Sequence, residues 1–557
     1  MSKKVLLLDK SVSRCNKLAD MRAEKEDFSG ALMLLLDAEK IAPTPDVISR
    51  IAYAYADMGL FELSNKYWYK FMHFAPTDRV STSYEELAIN YYYLDNLWAA
   101  GYYFHKKLET DGYISKEGID QEVLDFFSGE EFKKHAYRIV YPVEKADYTP
   151  EIKASRRAIT LGVFEEAINI LTKIPIKGRS EDVLGDLAIA YFMSDDLENA
   201  QKTCKQSIEM HGENITAYCN LATVYDLKED FDKSEYYYRK ALSLRTGDKG
   251  DYYKVATCAI EREDHAVIKE CLEKVLHDRP YELTMRFFYG VALANLGEYK
   301  AAYEQFKYAY RHSPDDVVFD YYCEYLRTNI NGEDADKLFP LKYVKEIPKK
   351  TADKWIRRIR DLTKNPEKIS VVTKNDKMRK IIKWGITYGS ESVMRNCAFI
   401  LSNAEKRYFI RTALSIFIDP EVTEPAKRML LYLIVACGHK GRIGLVAGTF
   451  YCDFTLKKLA IEKDPNGALY FSAYALCLSK MAFYKPDCYD KIAECADAIF
   501  KKCKGIITES EASNEEIAAL ILSECKFERF SADKEVKNIF EISDYKLKKL
   551  KEILNRN

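Results

Sequence analysis

Glycine and proline are scarce in this chain of 557 residues, which contains only 23 and 15 of them. Both fall below their average shares in proteins, about 7% and 5%. A long chain with few turn-forming residues favours helices joined by short loops over a sheet of many strands. We therefore expect an all-α fold. It should divide into two or three units, because one hydrophobic core rarely supports so many residues.

Long apolar runs are also missing. The first nine residues contain four apolar side chains in a row, preceded by two lysines and followed by Asp9. A secretory signal needs roughly 7–15 apolar residues and a membrane helix about 20. The sequence therefore predicts a cytoplasmic protein with no membrane partner.

The chain has none of the short motifs that mark common enzyme classes. No GxxxxGKS/T loop, GxGxxG turn, HExxH helix or GxSxG turn is present, and no CxxC pair occurs among the fourteen cysteines. Cys437, His439 and Cys452 come nearest to a metal cluster, but structural zinc generally takes four ligands in paired spacing. We predict a protein that is not an enzyme and that binds no metal or cofactor.

What the chain does contain is a repeat of 34 residues. Four consecutive units align without a gap, and each has an apolar and a small residue side by side before a second half that usually opens on a large residue. The units begin at Glu181, Ile215, Lys249 and Leu283, the paired residues are Leu187-Ala188, Leu221-Ala222, Val255-Ala256 and Tyr289-Gly290, and the opening residues are Leu197, Phe231, His265 and Tyr299. Because residues three and four apart share one helix face, each unit predicts two amphipathic helices.

These units resemble tetratricopeptide repeats, and weaker copies occur at 12–44, 45–78, 81–114 and 148–180. At one position early in the first helix, where the family favours tryptophan, this chain has Leu184, Tyr218, Tyr252 and Arg286. The resemblance implies helical hairpins that stack into an αα-superhelix, since one hairpin cannot bury its own apolar face. We predict an N-terminal array over 1–114, a connecting helix over 115–147 and a second array over 148–316.

The resemblance also implies a binding surface, because the first helices of such hairpins line the concave face of the stack. A partner protein would lay a peptide or an amphipathic helix along this apolar strip. For any one side chain, packing against a neighbouring hairpin is the alternative. The positions expected on this face are Ile189, Phe192, Met193, Cys219, Thr223, Leu227, Tyr253, Thr257, Ile260, Phe287 and Val291, with Tyr53, Ile89, Tyr92 and Tyr93 in equivalent places of the N-terminal array.

After Pro314 the repeat is no longer recognisable, and 317–383 is predicted to be a basic connecting segment. Residues 342–383 contain fifteen Lys and Arg against five Asp and Glu, although the whole chain has a net charge of only -1. Such a patch is either a solvated surface or a site for an anionic partner such as nucleic acid. Its candidate residues are Lys349, Lys350, Lys354, Arg357, Arg358 and Arg360.

Residues 384–557 predict a second helical domain, and 377–460 loosely resembles HEAT-like helical repeats. In the tail, an apolar helix from Ile517 to Leu522 is followed by a break and by a second apolar stretch from Val536. A short turn and a basic second helix with Tyr545, Lys546, Lys548, Lys549 and Lys551 would be consistent with a helix-turn-helix, although Glu541 stands where a turn glycine is common. The alternative is a terminal capping helix with a solvated lysine face.

Two functions follow from these features. The leading hypothesis is a non-catalytic scaffold that binds a peptide or helix of another protein in the concave groove. The alternative is a regulator that binds nucleic acid through the basic segment or the tail.

Overall fold

A computed structural model describes most of the chain, and the fold is α-helical as predicted. The described residues are 3–75, 80–112, 138–139, 145–146, 148–160, 162–244, 249–329, 341–456, 458–464, 467–481, 488–508, 510–525, 527, 536, 539–540 and 542–556. The chain forms two compact units. The first comprises Met1–Ile41, Tyr53–Phe61 and Tyr84–Ile347, and the second comprises Ala42–Ala52, Glu62–Ser83 and Pro348–Asn557.

The N-terminal region consists of three helical hairpins. Their second helices begin at Phe28, Phe61 and Leu97, the large residues that mark the second half of each weak repeat copy. The helices are α1 (Lys3–Ala23), α2 (Phe28–Ile41), α3 (Pro45–Asp57), α4 (Phe61–Phe74), α5 (Ser81–Tyr93) and α6 (Leu97–Thr110).

Most of the predicted connecting helix at 115–147 lies outside the described residues. The four residues of it that the structure describes form a short antiparallel ladder, β1 (Arg138–Ile139) with β2 (Lys145–Ala146). This part of the segment is therefore not helical.

The second array contains five complete hairpins, and its four strongest units begin at the predicted residues. Their second helices also begin where a large residue was expected. The helices are α7 (Thr149–Thr160), α8 (Phe164–Thr172), α9 (Glu181–Met193), α10 (Leu197–His211), α11 (Ile215–Leu227), α12 (Phe231–Ser243), α13 (Lys249–Glu261), α14 (His265–Asp278), α15 (Leu283–Asn295) and α16 (Tyr299–His312).

The turn between the two helices of a hairpin has the same backbone conformation in each of the four units. Asp196, Asp230 and Asp264 cap the second helices, and their carboxylates accept hydrogen bonds from the N–H three residues on at 3.1, 3.3 and 3.2 Å. The preceding residue is left-handed in all four turns. It is Asp195 (φ 68°), Glu229 (58°), Glu263 (53°) and Gly297 (80°). The three acidic residues hold this backbone at a cost of roughly 1–2 kcal/mol each.

Burial confirms the predicted core positions. Ala200, Ser234, Ile268 and Ala302 occupy the same place in four successive second helices, and none of them is exposed. Ser234 satisfies its hydroxyl by donating to the carbonyl of Ala222 at 2.9 Å. Three of the four side chains are small, which lets the two helices of a hairpin approach closely. Packing between the helices therefore explains why this position recurs.

The repeat continues further than the sequence analysis expected. Helix α17 (Val317–Asn329) begins 34 residues after α15, in register with the four units. Its Phe319 and Tyr322 are buried against Phe287 of α15, with ring centroids 6.3 and 5.0 Å away. The start of the predicted basic connecting segment is therefore a further repeat helix.

In the first unit, α2 docks against the end of α16 through a buried histidine. His312 Nδ1 donates to the carbonyl of Tyr308 at 2.8 Å, and His312 Nε2 lies 2.7 Å from the hydroxyl of Ser29 on α2. The hydroxyl of Tyr55 donates to the His312 carbonyl at 2.8 Å. Burial, together with the charges of Arg286 and Arg311, lowers the pKa of His312 to about 4.

The second unit is built mainly from helices around one hydrophobic core. The helices are α18 (Lys349–Thr363), α19 (Ile369–Val372), α20 (Asp376–Tyr388), α21 (Glu391–Ser402), α22 (Lys406–Phe417), α23 (Glu424–Ala436), α24 (Ala468–Met481), α25 (Tyr489–Cys503), α26 (Asn514–Glu524) and α27 (Asp544–Arg556). Ile382, Phe417, Leu430, Tyr470 and Leu520 are among its buried side chains.

A β-hairpin interrupts the stretch expected to be HEAT-like helices. β3 (Gly441–Ala447) pairs antiparallel with β4 (Phe450–Leu456), and only Gly448 and Thr449 lie between them. Gly448 has φ 59°, as the first central residue of a type II′ turn requires. The prediction of helices throughout 377–460 is therefore wrong for these strands, because a two-residue turn between β-branched and aromatic residues sets a strand pair.

The predicted turn at Glu541 lies outside the described residues, and the basic helix that should follow it is α27. Lys546 of the expected recognition helix pairs with Glu516 at 3.3 Å and donates to the Glu511 carbonyl at 2.8 Å. In the described residues, α27 packs as a terminal helix on the core.

No helix in the described ranges is long and apolar enough to cross a bilayer. All fourteen cysteines lie in those ranges, and all are unbridged thiols.

We expect Asp419→Ala to destabilise the second unit by about 3 kcal/mol, because Asp419 is the counter-ion of a buried network. It accepts from Lys66 at 2.8 Å and from the Glu421 N–H at 3.1 Å, and it lies near Lys427, whose pKa burial lowers to about 8. Urea unfolding measures the loss. The control Glu391→Ala breaks an exposed pair with Arg395 and should change stability by about 1 kcal/mol or less.

We expect the first unit to lose up to about 3 kcal/mol of stability through His312 as the pH falls from about 6.5 to about 4. In that range the unfolded chain binds a proton at this histidine and the folded chain does not, so acid favours unfolding. Melting temperatures measured across the range should depend less on pH in His312→Gln than in the wild type. The control His277→Gln removes a histidine whose side chain is 88% exposed and should keep the full pH dependence.

Candidate functional site

Most of the predicted groove residues of the first three strong units reach the surface. On α9, α11 and α13, Met193, Leu227 and Tyr253 are 52%, 53% and 45% exposed. Thr257 is also exposed, while Ile189, Phe192, Thr223 and Ile260 are half-buried and Cys219 is buried. We call Phe192, Met193, Leu227, Tyr253 and Ile260 the exposed strip. These large apolar side chains are available for contact.

Besides Cys219, two predicted groove residues of the fourth strong unit are not on the surface. Phe287 and Val291 of α15 have no exposed area. Phe287 is covered by Phe319 and Tyr322, since α17 extends the repeat by one helix beyond the expected end at Pro314. The prediction that these two side chains contact a partner is therefore wrong.

Past α17, the chain returns to the last strong unit as a segment that is neither helix nor strand. In residues 341–347, which we call the docked segment, Leu341, Tyr343 and Ile347 are buried, whereas Lys342 and Val344 are exposed. The alternation over the first four residues is that of an extended chain, which presents every second side chain to one surface.

Asn295 holds this segment by its backbone. The Asn295 amide donates to the carbonyl of Leu341 at 2.8 Å, and its oxygen accepts the N–H of Leu341 at 2.7 Å. These two hydrogen bonds satisfy the backbone N–H and the backbone carbonyl of Leu341. It requires no particular side chain at that residue.

Side chains of the docked segment add further contacts. The hydroxyl of Tyr343 lies 2.9 Å from His265 Nδ1, and its ring lies 6.3 Å from that of Phe288. Lys345 pairs with Asp316 at 2.6 Å. Burial raises the pKa of the Tyr343 hydroxyl, as expected for a phenol held inside a pocket. The sequence analysis missed these contacts, because no local pattern marks 341–347 as a ligand of the array.

Asn295 occupies the same place in its unit as two residues of the exposed strip. Met193, Leu227 and Asn295 are each the last residue of the first helix of a hairpin. The docked segment therefore contacts the equivalent position of the fourth unit, while the positions of the first two units remain uncovered by it.

Charged groups beside the strip are already paired. Arg156 binds Asp186 at 2.7 Å, and Arg262 binds Asp226 at 2.6 Å. The Thr223 hydroxyl donates to Glu261 at 2.7 Å. Because these partners satisfy one another, the surface that the strip offers is apolar and aromatic.

In the N-terminal array the equivalent positions are also exposed. Tyr53, Ile89, Tyr92 and Tyr93 are 39%, 41%, 41% and 63% exposed. The ring of Tyr93 stacks on Phe61 with centroids 4.9 Å apart. Burial and then Glu86 raise the pKa of Tyr53 to about 12, so this hydroxyl stays protonated at neutral pH.

The predicted anionic-partner patch lies on α18. This helix buries Ile359 and Leu362 and exposes all six candidate cations, Lys349, Lys350, Lys354, Arg357, Arg358 and Arg360. Within the described part of the chain, no carboxylate lies within 4.0 Å of any of the six.

The residues nearest to a metal cluster make local contacts instead. The thiols of Cys437 and Cys452 donate to the carbonyls of Ile434 and Leu445 at 3.2 and 3.7 Å. Across the described residues, no group of three His, Cys, Asp or Glu side chains is arranged to hold a metal ion.

Comparisons with known proteins match part of the chain. The profile of the tetratricopeptide repeat family matches residues 179–247. A TPR repeat-containing protein of Methanocaldococcus jannaschii is 26% identical over 199 residues, which are 33% of this chain and 34% of that protein. The chain thus spans about a third of the length of this curated relative.

Solved structures similar to this chain are repeat proteins too. YrrB, described as a TPR protein with an unusual peptide-binding site, is 20% identical, with 33% of this chain and 89% of that chain covered and a TM-score of 0.24. A tetratricopeptide repeat protein from Parabacteroides merdae is 14% identical over 57% of this chain and 100% of its own, with a TM-score of 0.26. The family match contains α9 to α12, and this part of the chain consists of tetratricopeptide repeats.

Proposed function

We propose that this protein is a non-catalytic scaffold whose exposed strip binds a non-helical, apolar segment of a partner protein. The observation that carries the proposal is the docked segment, since the array already binds a stretch of chain that is neither helix nor strand. Main-chain hydrogen bonds give such recognition its affinity, and pockets for alternate side chains give it specificity.

The strip can bind another chain by burying apolar side chains, in place of the backbone hydrogen bonds that Asn295 makes. Met193 and Leu227 occupy the same repeat position as Asn295, and both side chains are more than half exposed. Burying a large apolar side chain contributes roughly 1.5–3 kcal/mol. Two or three such contacts contribute roughly 3–9 kcal/mol, which is of the same order as the cost of association. The paired charges beside the strip favour an apolar partner over a charged one.

We expect peptides selected for binding to the full-length protein to lose about tenfold in affinity for Met193→Ser and for Leu227→Ser, which corresponds to roughly 1.4 kcal/mol per lost side chain. Fluorescence anisotropy with labelled peptides measures the change. The matched controls are Met210→Ser and Leu296→Ser, which remove residues of the same types, 38% and 40% exposed, from outside the strip. Equal losses in both pairs of variants would show that the peptides bind elsewhere.

A second candidate function rests on the face of α18. Six exposed cations without a carboxylate partner in the described residues form a patch that attracts phosphate backbones. We propose nucleic acid as the anionic partner. Each phosphate neutralised by such a side chain releases counter-ions, which makes the binding sensitive to salt.

We expect the full-length protein to bind duplex DNA at low salt and the variant with Lys349, Lys350, Arg357 and Arg358 all changed to Gln to lose this binding. The slope of log K against log salt should become shallower by about 0.9 for each phosphate contact removed. The control changes Lys202, Lys205, Lys501 and Lys502 to Gln, which are exposed and have the same total charge. A control that weakens binding equally would rule out a site on α18.

A further inference from the structure

A cavity of about 300 Å³ lies between α2 and the last strong hairpin, within the first unit. Helix α2 contributes Ser29 and Met33, and α15 contributes Arg286. One face of α16 supplies the rest of the wall, including Tyr308, Arg311 and His312. The cavity is at the small end of the range for ligand sites.

Arg286 is held in place by neutral groups. Its Nε donates to the carbonyl of Pro280 at 2.8 Å, its Nη2 donates to the same carbonyl, and its Nη1 donates to the Gln305 side chain at 2.8 Å. The guanidinium lies 3.8 Å from the centre of the Tyr308 ring. Burial lowers the pKa of Arg286. No carboxylate of the described chain lies within 4.0 Å of this group, so its half-buried charge is only partly compensated, by hydrogen bonds and by the ring.

A second guanidinium lies near the same cavity. Arg311 is exposed and, among the described residues, makes no ion pair. Both Arg286 and Arg311 lower the pKa of His312, so both are close to that corner of the cavity. The one carboxylate in the wall, Glu304, is paired with Lys307 at 3.1 Å. The cavity thus has an excess of positive charge.

The fold itself does not require an arginine at this position. The equivalent residues of the preceding units are Leu184, Tyr218 and Tyr252, of which Leu184 and Tyr218 are buried. An apolar or aromatic side chain therefore serves the packing. A partly desolvated charge at such a position costs free energy unless something pairs with it.

The neighbouring serine and histidine do not make the cavity a catalytic site. Since His312 Nδ1 donates to the Tyr308 carbonyl, its Nε2 accepts from Ser29 at 2.7 Å. With a pKa of about 4, His312 is a weak base for activating the hydroxyl at neutral pH. The pair fixes α2, and the chemistry left to the cavity is binding.

We propose that this cavity binds a small phosphomonoester, with the phosphate between Arg286 and Arg311 and the organic group against Met33 and Tyr308. Guanidinium groups suit phosphate because their forked donors match its oxygens and carry a permanent charge. The thioether and the edge of the ring give the ligand an apolar wall, since Arg286 and His312 cover the two faces of Tyr308. The site is independent of the exposed strip.

Phenyl phosphate tests the proposal on the full-length protein by calorimetry. We expect saturable binding that weakens about tenfold in Arg311→Gln and in Arg286→Gln. Arg311 is exposed and has no ion pair in the described structure, so its loss leaves the fold intact even if Arg286→Gln unfolds. The control Arg239→Gln breaks an exposed pair with Glu235 and should bind as the wild type does.

Two further ligands and one spectroscopic signal sharpen the result. Inorganic phosphate should bind more weakly because it lacks the ring, and benzoate more weakly because it lacks the second charge. Bound phenyl phosphate should raise the pKa of His312, followed by NMR of its imidazole, in the wild type and Arg239→Gln but not in Arg311→Gln. The proposal fails if phenyl phosphate does not bind, if Arg311→Gln binds it as tightly as Arg239→Gln, or if either other ligand matches it.

Discussion

The structure depends on one constraint, which is that a helical hairpin exposes more apolar surface than its two helices can cover by themselves. Each hairpin of the second array therefore packs on the next. The small residues at Ala200, Ser234 and Ala302, none of them exposed, show how closely the helices approach. Repeated capping aspartates and left-handed turn residues keep the hairpins alike, so the same packing recurs from one unit to the next.

An array of this kind needs a cover at its ends, and in the first unit the chain supplies covers from its own sequence. Helix α17 and the docked segment lie over the last strong hairpin, while α2 packs on α16 through Ser29 and His312. Helix α17 covers Phe287, whereas Leu227 and Met193 stay exposed, two and three units away. Which groove positions are available thus depends on where the cover stops.

The pairing of charged side chains differs between the proposed binding surfaces. Beside the exposed strip, carboxylates and cations satisfy one another, which leaves an apolar surface for binding. Two places depart from this pattern in the described chain. On α18 the unpaired cations are solvated and cost little to keep. At the cavity, Arg286 is desolvated, and an unpaired charge there is costly. The second departure is therefore the stronger sign of a missing ligand.

The sequence by itself determined the hairpins. Their first and second helices begin at Glu181, Ile215, Leu197 and Phe231 as predicted, because a helix depends on side chains three and four residues apart and on local turns. The exposed strip at Met193 and Leu227 follows from the same periodicity. Positions that face a neighbouring helix or solvent recur every 34 residues.

Tertiary structure decided what lies far apart in the chain. The burial of Phe287, the docking of Leu341 on Asn295 and the cavity that joins Ser29 to Arg286 all pair residues separated by tens to hundreds of positions. The β3–β4 strands, by contrast, were overlooked because their two-residue turn lies in a stretch with helix-like apolar content. Local patterns fix elements, but burial and pairing depend on which elements meet, and no local pattern specifies that.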